Sequence, residues 1–381
     1  MSIYKPRQIK NKIATTFKYG NLRISHFISG NSLALQAWLV LLKTYDKWFN
    51  KNKIMNMIDK TIETFTKDDV KDKSSLRMAI LRCREVNLIS PDEYFLYGFA
   101  NLSEKERHQF VGNHEAMLLC SAINKNNVSC IFVNKYKTYL RFRDYYHREI
   151  IEISSCEAKD DFFNFFEKHD CGILKPAQSA LGRGVTLLEK SQAFNVWREK
   201  LSPGVASVSS FVLEERIRQS KTMALFNPDT VNTVRIATYR LNGKTVLLFA
   251  ALRTGIKGQI VDSGGAGGLA ATINLETGIV ISNGRNRLGE FFESHPDSKT
   301  VYKGFQIPEW EGLRQLAQTL SLVVPEQLYV GWDLAHTDNG WIMIEGNSLG
   351  QFVLTQRTSL IGLRDEINAT FYQTIKAREK A

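Results

Sequence analysis

The chain has 381 residues, 43% hydrophobic and 23% charged, a composition that excludes a disordered or fibrous polymer and leaves room for two or three domains. Lys and Arg number 50 against 39 Asp and Glu, and the resulting charge of +11 points to an anionic partner such as nucleotide phosphates, an acidic polymer or an anionic membrane surface. Cys83, Cys120, Cys130, Cys156 and Cys171 form no C-x-x-C pair, which argues against a zinc or disulfide framework and fits reduced thiols in a cytoplasmic protein.

The N-terminus is basic (Lys5, Arg7, Lys10, Lys12), but no compact apolar segment with a cleavage site follows, so no signal peptide is expected. The apolar run 33–42 contains Gln36 and is too short to span a bilayer. It reads as a core helix; a basic, Trp-bearing helix lying on a membrane surface is the alternative. Leu39, Leu42, Tyr45 and Phe49 recur at helical spacing, as do Ile54, Ile58 and Ile62. Residues 1–75 are therefore expected to form a helical extension. Residues 76–125 form a second helical region, with a helix at 75–86 and helix starts at Ser90-Pro91-Asp92-Glu93 and Ser103-Glu104-Lys105-Glu106.

From about residue 126 the pattern changes. Strands are expected at 128–133, 149–153, 172–175, 185–189 and 209–213, with helices at 135–146, 160–168 and 191–200. Longer runs of β-formers follow at 233–241, 244–253 and 270–274, then an amphipathic helix at 309–322 and a last helix from about 362 to 380. The strands are not threaded one by one between helices, so the expected class is α+β with antiparallel sheets.

Between the last two helices lie two apolar strands, Val330-Gly331-Trp332-Asp333 and Ile342-Met343-Ile344-Glu345-Gly346-Asn347, joined by a turn containing Asn339-Gly340. Glu345 and Asn347 are two apart and share a face, and Asp333 can lie opposite them. Three hard oxygen donors on one face suit Mg²⁺, whereas solvated acids on a surface hairpin are the plainer alternative. Carboxylates inside apolar runs need partners, which favours the metal.

Other chemistry-bearing residues precede the hairpin. Lys175 ends a strand before a loop containing Gly182, Arg183 and Gly184, which can hold phosphate through its backbone or serve as a simple turn. Glu214 and Glu215 close another strand; they can accept from a nucleotide or merely begin a solvated segment. Arg235 and Arg253 interrupt apolar β runs and call for anionic partners. Residues 261–268 form a second glycine loop, and His295 sits in a polar loop, where a histidine is commonly structural.

In this order the set resembles the ATP-grasp superfamily, and within it the sugar-transfer-associated family found with polysaccharide biosynthesis. Asn134-Lys135, Lys175-Pro176, Gly182-Arg183-Gly184-Val185, Leu213-Glu214-Glu215, Asn232 to Arg235, Arg253, Gly255, Asp262, His295-Pro296, Ile307-Pro308, Trp310, Gly331-Trp332-Asp333, Glu345-Gly346-Asn347 and Gln356 carry the resemblance over about residues 90–365. It implies an ATP-grasp fold, with ATP between a small lobe at 126–215 and a large lobe at 216–365; residues 366–381 end the terminal helix. Lys135 and Lys175 would hold phosphates under the Gly182–Gly184 loop, and Glu214 and Glu215 would read adenine and ribose. Asp333, Glu345 and Asn347 would bind Mg²⁺, with Mn²⁺ as a substitute. Arg235 and Arg253 would lie near the transferred phosphate, with His295 on the acceptor side.

The implied activity is an ATP-dependent carboxylate–amine ligase working through an acyl phosphate and modifying an acidic sugar or precursor in capsular or surface polysaccharide assembly. A kinase of a sugar or lipid-linked intermediate, or a nucleotide-binding scaffold docked to a membrane or glycosyltransferase, are the rivals. Net charge alone does not support nucleic-acid binding. Peptide-forming relatives continue differently after the last Asn; here Ser348-Leu349-Gly350 follows, so the resemblance defines the nucleotide side better than the acceptor.

Overall fold

The computed structural model describes residues 51–66, 70–124, 126–154, 158–179, 182–201, 210–260, 262, 267–349 and 352–380. The helical spacing read at Leu39 to Phe49, the run 33–42, and residues 261 and 263–266 of the second glycine loop lie outside them. The architecture is α+β, with two antiparallel sheets behind a helical beginning.

The first helices are α1 (Lys51–Thr66), α2 (Lys73–Asn87) and α3 (Pro91–Leu96). Ile54, Ile58 and Ile62 form one buried stripe on α1, packed with Ile80, Cys83, Tyr94 and Phe99. Asp72 caps α2 by accepting from Ser75 N at 2.9 Å, and Glu93 accepts from Ser90 N at 2.6 Å at the start of α3. Helix α4 (Asn113–Ile123) follows.

The strand expected at 128–133 is not formed. Asn126–Ser129 is helical and Cys130–Val133 is a 3-10 turn. A short apolar run carries no period that separates strand from buried turn. Here Phe132 packs edge-on against Trp332 at 6.0 Å while Val133 is exposed, so the run docks through one ring instead of pairing.

Helix α5 (Lys135–Phe142) leads to the first sheet, whose strands are β1 (Ile150–Ile153), β2 (Cys171–Pro176), β3 (Thr186–Glu189) and β4 (Phe211–Glu215), in the order β1-β4-β2-β3. Helix α6 (Lys159–Lys168) buries Phe162, Phe165 and Phe166 against Leu174, Leu188 and Leu213. The helix expected at 191–200 forms as Ala193–Val196 followed by a wider π turn, Trp197–Leu201.

The second sheet contains β5 (Thr233–Leu241), β6 (Lys244–Thr254), β7 (Leu269–Ile273), β8 (Gly284–Arg285), β9 (Phe291–Phe292), β10 (Tyr329–Thr337) and β11 (Gly340–Asn347), in the order β11-β10-β5-β6-β7-β8-β9. One face carries Val234, Ile236, Leu252, Trp332 and Leu334 and is covered by α7 (Trp310–Val323) through Leu313, Ala317 and Leu320. The other face is divided. Ala237, Tyr239, Phe249 and Tyr329 are covered by α4, α8 (Phe352–Ser359) and the C-terminal helices. The rest of that face is polar and forms the site. The last helix is broken at a π turn, Asn368–Tyr372, between Arg364–Ile367 and Gln373–Lys380.

Candidate active site

Register brings the large-sheet residues together. Glu345 pairs with Asp333, and Asp333 with Arg235; in the next row Thr233 pairs with Arg253. Directly opposed residues of antiparallel strands project from the same face. Gly331 lies opposite Asn347, and a bulge after Asp333 leaves Ile344 unpaired, which adds local twist beside the carboxylates.

Asp333 is 3% exposed and held by two guanidinium groups. Arg235 forks onto it, Nη2 donating to Oδ2 at 2.7 Å and Nε to Oδ1, and Arg253 Nη1 adds a bond to Oδ2 at 2.7 Å. The other arm of Arg253 donates to Asp262 Oδ1 at 2.8 Å, and the Thr233 hydroxyl donates to the second oxygen of Asp262. Burial alone would raise the Asp333 carboxyl, but Arg235 and Arg253 outweigh it and hold the group well below the ordinary carboxylate range. Glu345 moves the other way: burial and the Asp333 charge both push it up, against the pull of Arg235. Asn347 Nδ2 donates to Glu345 Oε1 at 3.4 Å.

The small sheet supplies a second charged cluster. Glu214 is 4% exposed; Lys175 Nζ lies 2.5 Å from Oε1, and Arg148 reaches Oε2 from Nη2 at 2.7 Å. Lys175 pairs with Val212, so Glu214 is its diagonal neighbour on the same face. Burial opposes ionisation of Glu214, yet Lys175 and Arg148 bring its carboxyl down to about 2. Glu215 points elsewhere, because successive strand residues alternate; its Oε2 accepts from Glu149 N at 3.3 Å.

Two cations tie the clusters into one cleft. Arg148 Nη1 donates to the Met343 carbonyl of β11 at 2.8 Å while its other atoms hold Glu214. Lys135 opens α5 beside Asn134, which caps the helix through Tyr136 N and Lys137 N. Its Nζ donates to Ser179 O at 2.6 Å and Pro176 O at 3.2 Å. Burial lowers this ammonium most; Glu345 and Glu214 raise it and Lys175 lowers it, so Lys135 feels both sheets at once.

Gly182 and Gly184 adopt φ of +70° and +72°, and a Cβ on Gly184 would meet Pro176 Cγ at 2.9 Å. Arg183 lies between them on an exposed turn. His295 stands apart from the carboxylates. Its Nε2 contacts Gly255 O at 2.8 Å, and Nδ1 accepts from Asp297 N at 3.3 Å and Ser298 N at 3.4 Å, so both ring nitrogens are engaged by backbone. Gly255 opens the loop after β6, two residues beyond Arg253. Gln356 is fully buried and acts as a clamp: Nε2 donates to Val111 O at 2.8 Å and Oε1 accepts from Val111 N at 2.9 Å. Arg148 was invisible in the sequence; a single arginine in a polar turn carries no pattern.

The donor chemistry suits a hard divalent cation. Asp333, Glu345 and Asn347 are oxygen-bearing groups on adjacent strands, and a cation there would relieve the repulsion between the two carboxylates. Among the described residues no group of three or more His, Cys, Asp or Glu is placed to hold a metal ion.

This cleft between two antiparallel sheets is that of an ATP-grasp protein. The model for sugar-transfer associated ATP-grasp proteins matches residues 123–371, and the chain belongs to that family. Similar solved structures include D-alanyl-alanine synthetase A from Vibrio cholerae, at 12% identity and a TM-score of 0.43 over 71% of this chain and 73% of that one. The ATP-grasp ligase PsnB with its minimal precursor is 13% identical, with a TM-score of 0.40 over 68% and 70%. The D-alanine-D-alanine ligase from Coxiella burnetii is 10% identical, with a TM-score of 0.39 over 69% and 60%. No curated protein sequence matches the chain. Among the described residues no helix is long and apolar enough to cross a membrane.

Proposed function

We propose that the chain is an ATP- and Mg²⁺-dependent carboxylate–amine ligase that modifies an acidic sugar or its precursor in surface polysaccharide assembly. The observation that carries this reading is the position of Lys135, which donates to Pro176 O and Ser179 O beyond the end of β2, where the charges of Glu345 on the large sheet and Glu214 on the small one both act on its ammonium. A triphosphate spanning that gap meets Lys135 and Lys175 on one side and the Asp333–Glu345 pair on the other. We assign residues 126–215 to the lobe that grips the nucleotide and 216–365 to the lobe that supplies the carboxylates.

In this reading Lys135 and Lys175 neutralise phosphate charge beneath the Gly182–Gly184 turn, and Glu214, fixed by Arg148, orients Lys175. Mg²⁺, held by Asp333, Glu345 and Asn347, would offset the charge of the phosphates. A substrate carboxylate oxygen attacks the γ-phosphorus and the bond to the β-phosphate oxygen breaks, releasing ADP and leaving an acyl phosphate. An amine then attacks the acyl carbon, gives up a proton and expels phosphate, forming an amide. Arg253 steadies charge on the transferred group. His295 acts at one remove, holding the Gly255 carbonyl beside the Arg253 strand end. The excess of basic residues agrees with an acidic substrate.

The test is a screen of uronic acids and amines for ADP release, with mass detection of the adduct. ADP formation that requires both a carboxylate and an amine supports the ligase; a phosphorylated product from a hydroxyl acceptor alone would establish a kinase instead.

A further inference from the structure

Two guanidinium groups near the site take no part in the reaction above. Strands β6, β7 and β8 align Arg253, Ala270 and Arg285 in one cross-strand row, so both arginines rise from the same face over the small Ala270. Helix α8 lies over that row. Thr272, two residues from Ala270, donates to Thr358 at 2.7 Å, and Arg285 Nη1 donates to the carbonyl of Arg357. Arg357 is 8% exposed, and its Nε has no hydrogen-bond partner. Among the described residues neither Arg357 nor Arg285 has a carboxylate ion-pair partner, whereas Arg235 and Arg253 do. Burial lowers the Arg357 guanidinium to about 10, and the neighbouring charges of Arg285 and Arg253 push in the same direction.

Arg285 is anchored independently. Nε donates to Gly289 O at 2.8 Å, Nη1 donates to Leu96 O at 2.6 Å, and the group lies 4.4 Å from the centre of the Phe291 ring. A fixed cation therefore stands beside one that has no carboxylate partner among the described residues. A buried cation without a counter-ion is costly, and Arg357 stands on the helix that covers the row carrying Arg285 and the already paired Arg253, a place suited to an anion. Arg285 is two strand spacings, roughly 10 Å, from Arg253, and Glu345 lies on the opposite side of Arg253. A phosphate beside Glu345 and an anion beside Arg285 and Arg357 would thus be different groups, with Arg253 between them.

We infer that Arg357, with Arg253 and Arg285 beside it, binds an oxyanion, a carboxylate or a phosphate, carried by the second substrate and distinct from the ATP phosphates. The inference rests on the ligase reading for the identity of that substrate but not for the anion site itself. It assigns that substrate a negative charge set apart from its reacting group.

The test is the thermal midpoint of the full chain in inorganic phosphate and, separately, in succinate, each against chloride at matched ionic strength. Expected is a rise of about 3 °C at saturation. Protection by phosphate alone would assign a phosphorylated substrate, and protection by both a carboxylate or phosphate. The protection is lost in Arg357→Met and kept in Lys175→Met. In chloride, Arg357→Met melts no lower than the parent, since it removes an unpaired buried charge and keeps the stem. Protection that survives Arg357→Met but vanishes in Lys175→Met places the anion in the nucleotide cleft and overturns the inference. So does the absence of any protection in the parent, or a lower midpoint for Arg357→Met in chloride. If Arg357→Met does not fold, Arg357→Lys decides: the phosphate concentration for half-protection rises at least about fivefold, or the inference fails. Binding of Mg·ADP to the parent chain is measured alongside; its absence would count against the ligase reading and leave the phosphate result standing.

Discussion

Arg235 and Asp333 face each other directly across β5 and β10, and the guanidinium grips the carboxylate with two nitrogens. Asp333 is therefore both the counter-ion of two buried arginines and a candidate metal ligand. Replacing it with Asn removes the carboxylate charge that both Arg235 and Arg253 grip. Asp333→Asn is expected to lose about 3–5 kcal/mol of stability by denaturant unfolding, together with ATP turnover. The double replacement Arg235→Met with Asp333→Leu restores part of the stability and none of the turnover, because the charge has been removed in pairs. An Asp333→Asn protein as stable as the parent would show that the pair contributes nothing.

Glu345 separates stability from function. Burial and the adjacent Asp333 raise its carboxyl above the unfolded value of about 4.3. With the folded value raised, this group contributes stability below about 4.3, and that contribution is lost as pH rises through the folded value. Its ionised form is a buried anion facing another anion. Glu345→Gln keeps the acceptor oxygen that Asn347 uses and discards the charge. The unliganded variant is expected to be at least as stable as the parent at pH 7, with turnover down by more than about tenfold. Chemical denaturation at pH 5 and pH 7 measures the first expectation and steady-state ADP release the second.

Glu214 behaves oppositely. Its carboxyl is brought to about 2 despite burial, because Lys175 and Arg148 bind the ionised form. A depressed folded value means its contribution is complete above the unfolded pKa of about 4.3 and is lost as pH falls through about 2. Glu214→Gln should flatten the acid limb of the stability curve between about pH 4 and pH 2 and cost about 3–5 kcal/mol at pH 7, leaving Lys175 and Arg148 side by side. Urea midpoints collected down the acid range give both numbers; a variant with the parent's acid limb would contradict the assignment.

The residues easiest to read in the sequence were those whose chemistry conflicts with their surroundings. Arg235, Arg253, Asp333 and Glu345 interrupt apolar β runs, and strand 233–241 is legible to the residue because it is a long run of β-formers. Residues 128–133 mislead because a short, mostly apolar run fits a strand or a docked turn equally well, and the ring of Trp332 decides between them. Glu214 and Glu215 looked equivalent as neighbours, although a strand must send them to opposite sides. Arg148 and Arg357 gave no signal: one lies in a short turn, the other among helical residues that resemble a solvated face, and their burial is created by segments about 195 and 72 residues away. Gln356 was noticed only through resemblance, and its clamp on Val111 required the fold.

His295 offers the last decisive experiment. Its ring is buried, and both nitrogens are satisfied by the backbone of Gly255, Asp297 and Ser298. Burial lowers its pKa below the usual value of about 6.5, so the neutral ring is the folded form at pH 7. Its contribution to stability is present above about 6.5 and is lost as pH falls through the lower folded value. Removing the ring leaves backbone groups without partners, each worth about 1–3 kcal/mol when buried. His295→Ala is therefore expected to unfold earlier in denaturant and to lose turnover in proportion to the disordering of the Gly255 turn, with the shape of the pH–rate profile between pH 6 and 8 unchanged. A histidine that exchanges a proton with the acceptor would behave differently. Its replacement would erase a limb of that profile while leaving the denaturant midpoint close to the parent's, and that pair of results would move His295 from a positioning role to a catalytic one.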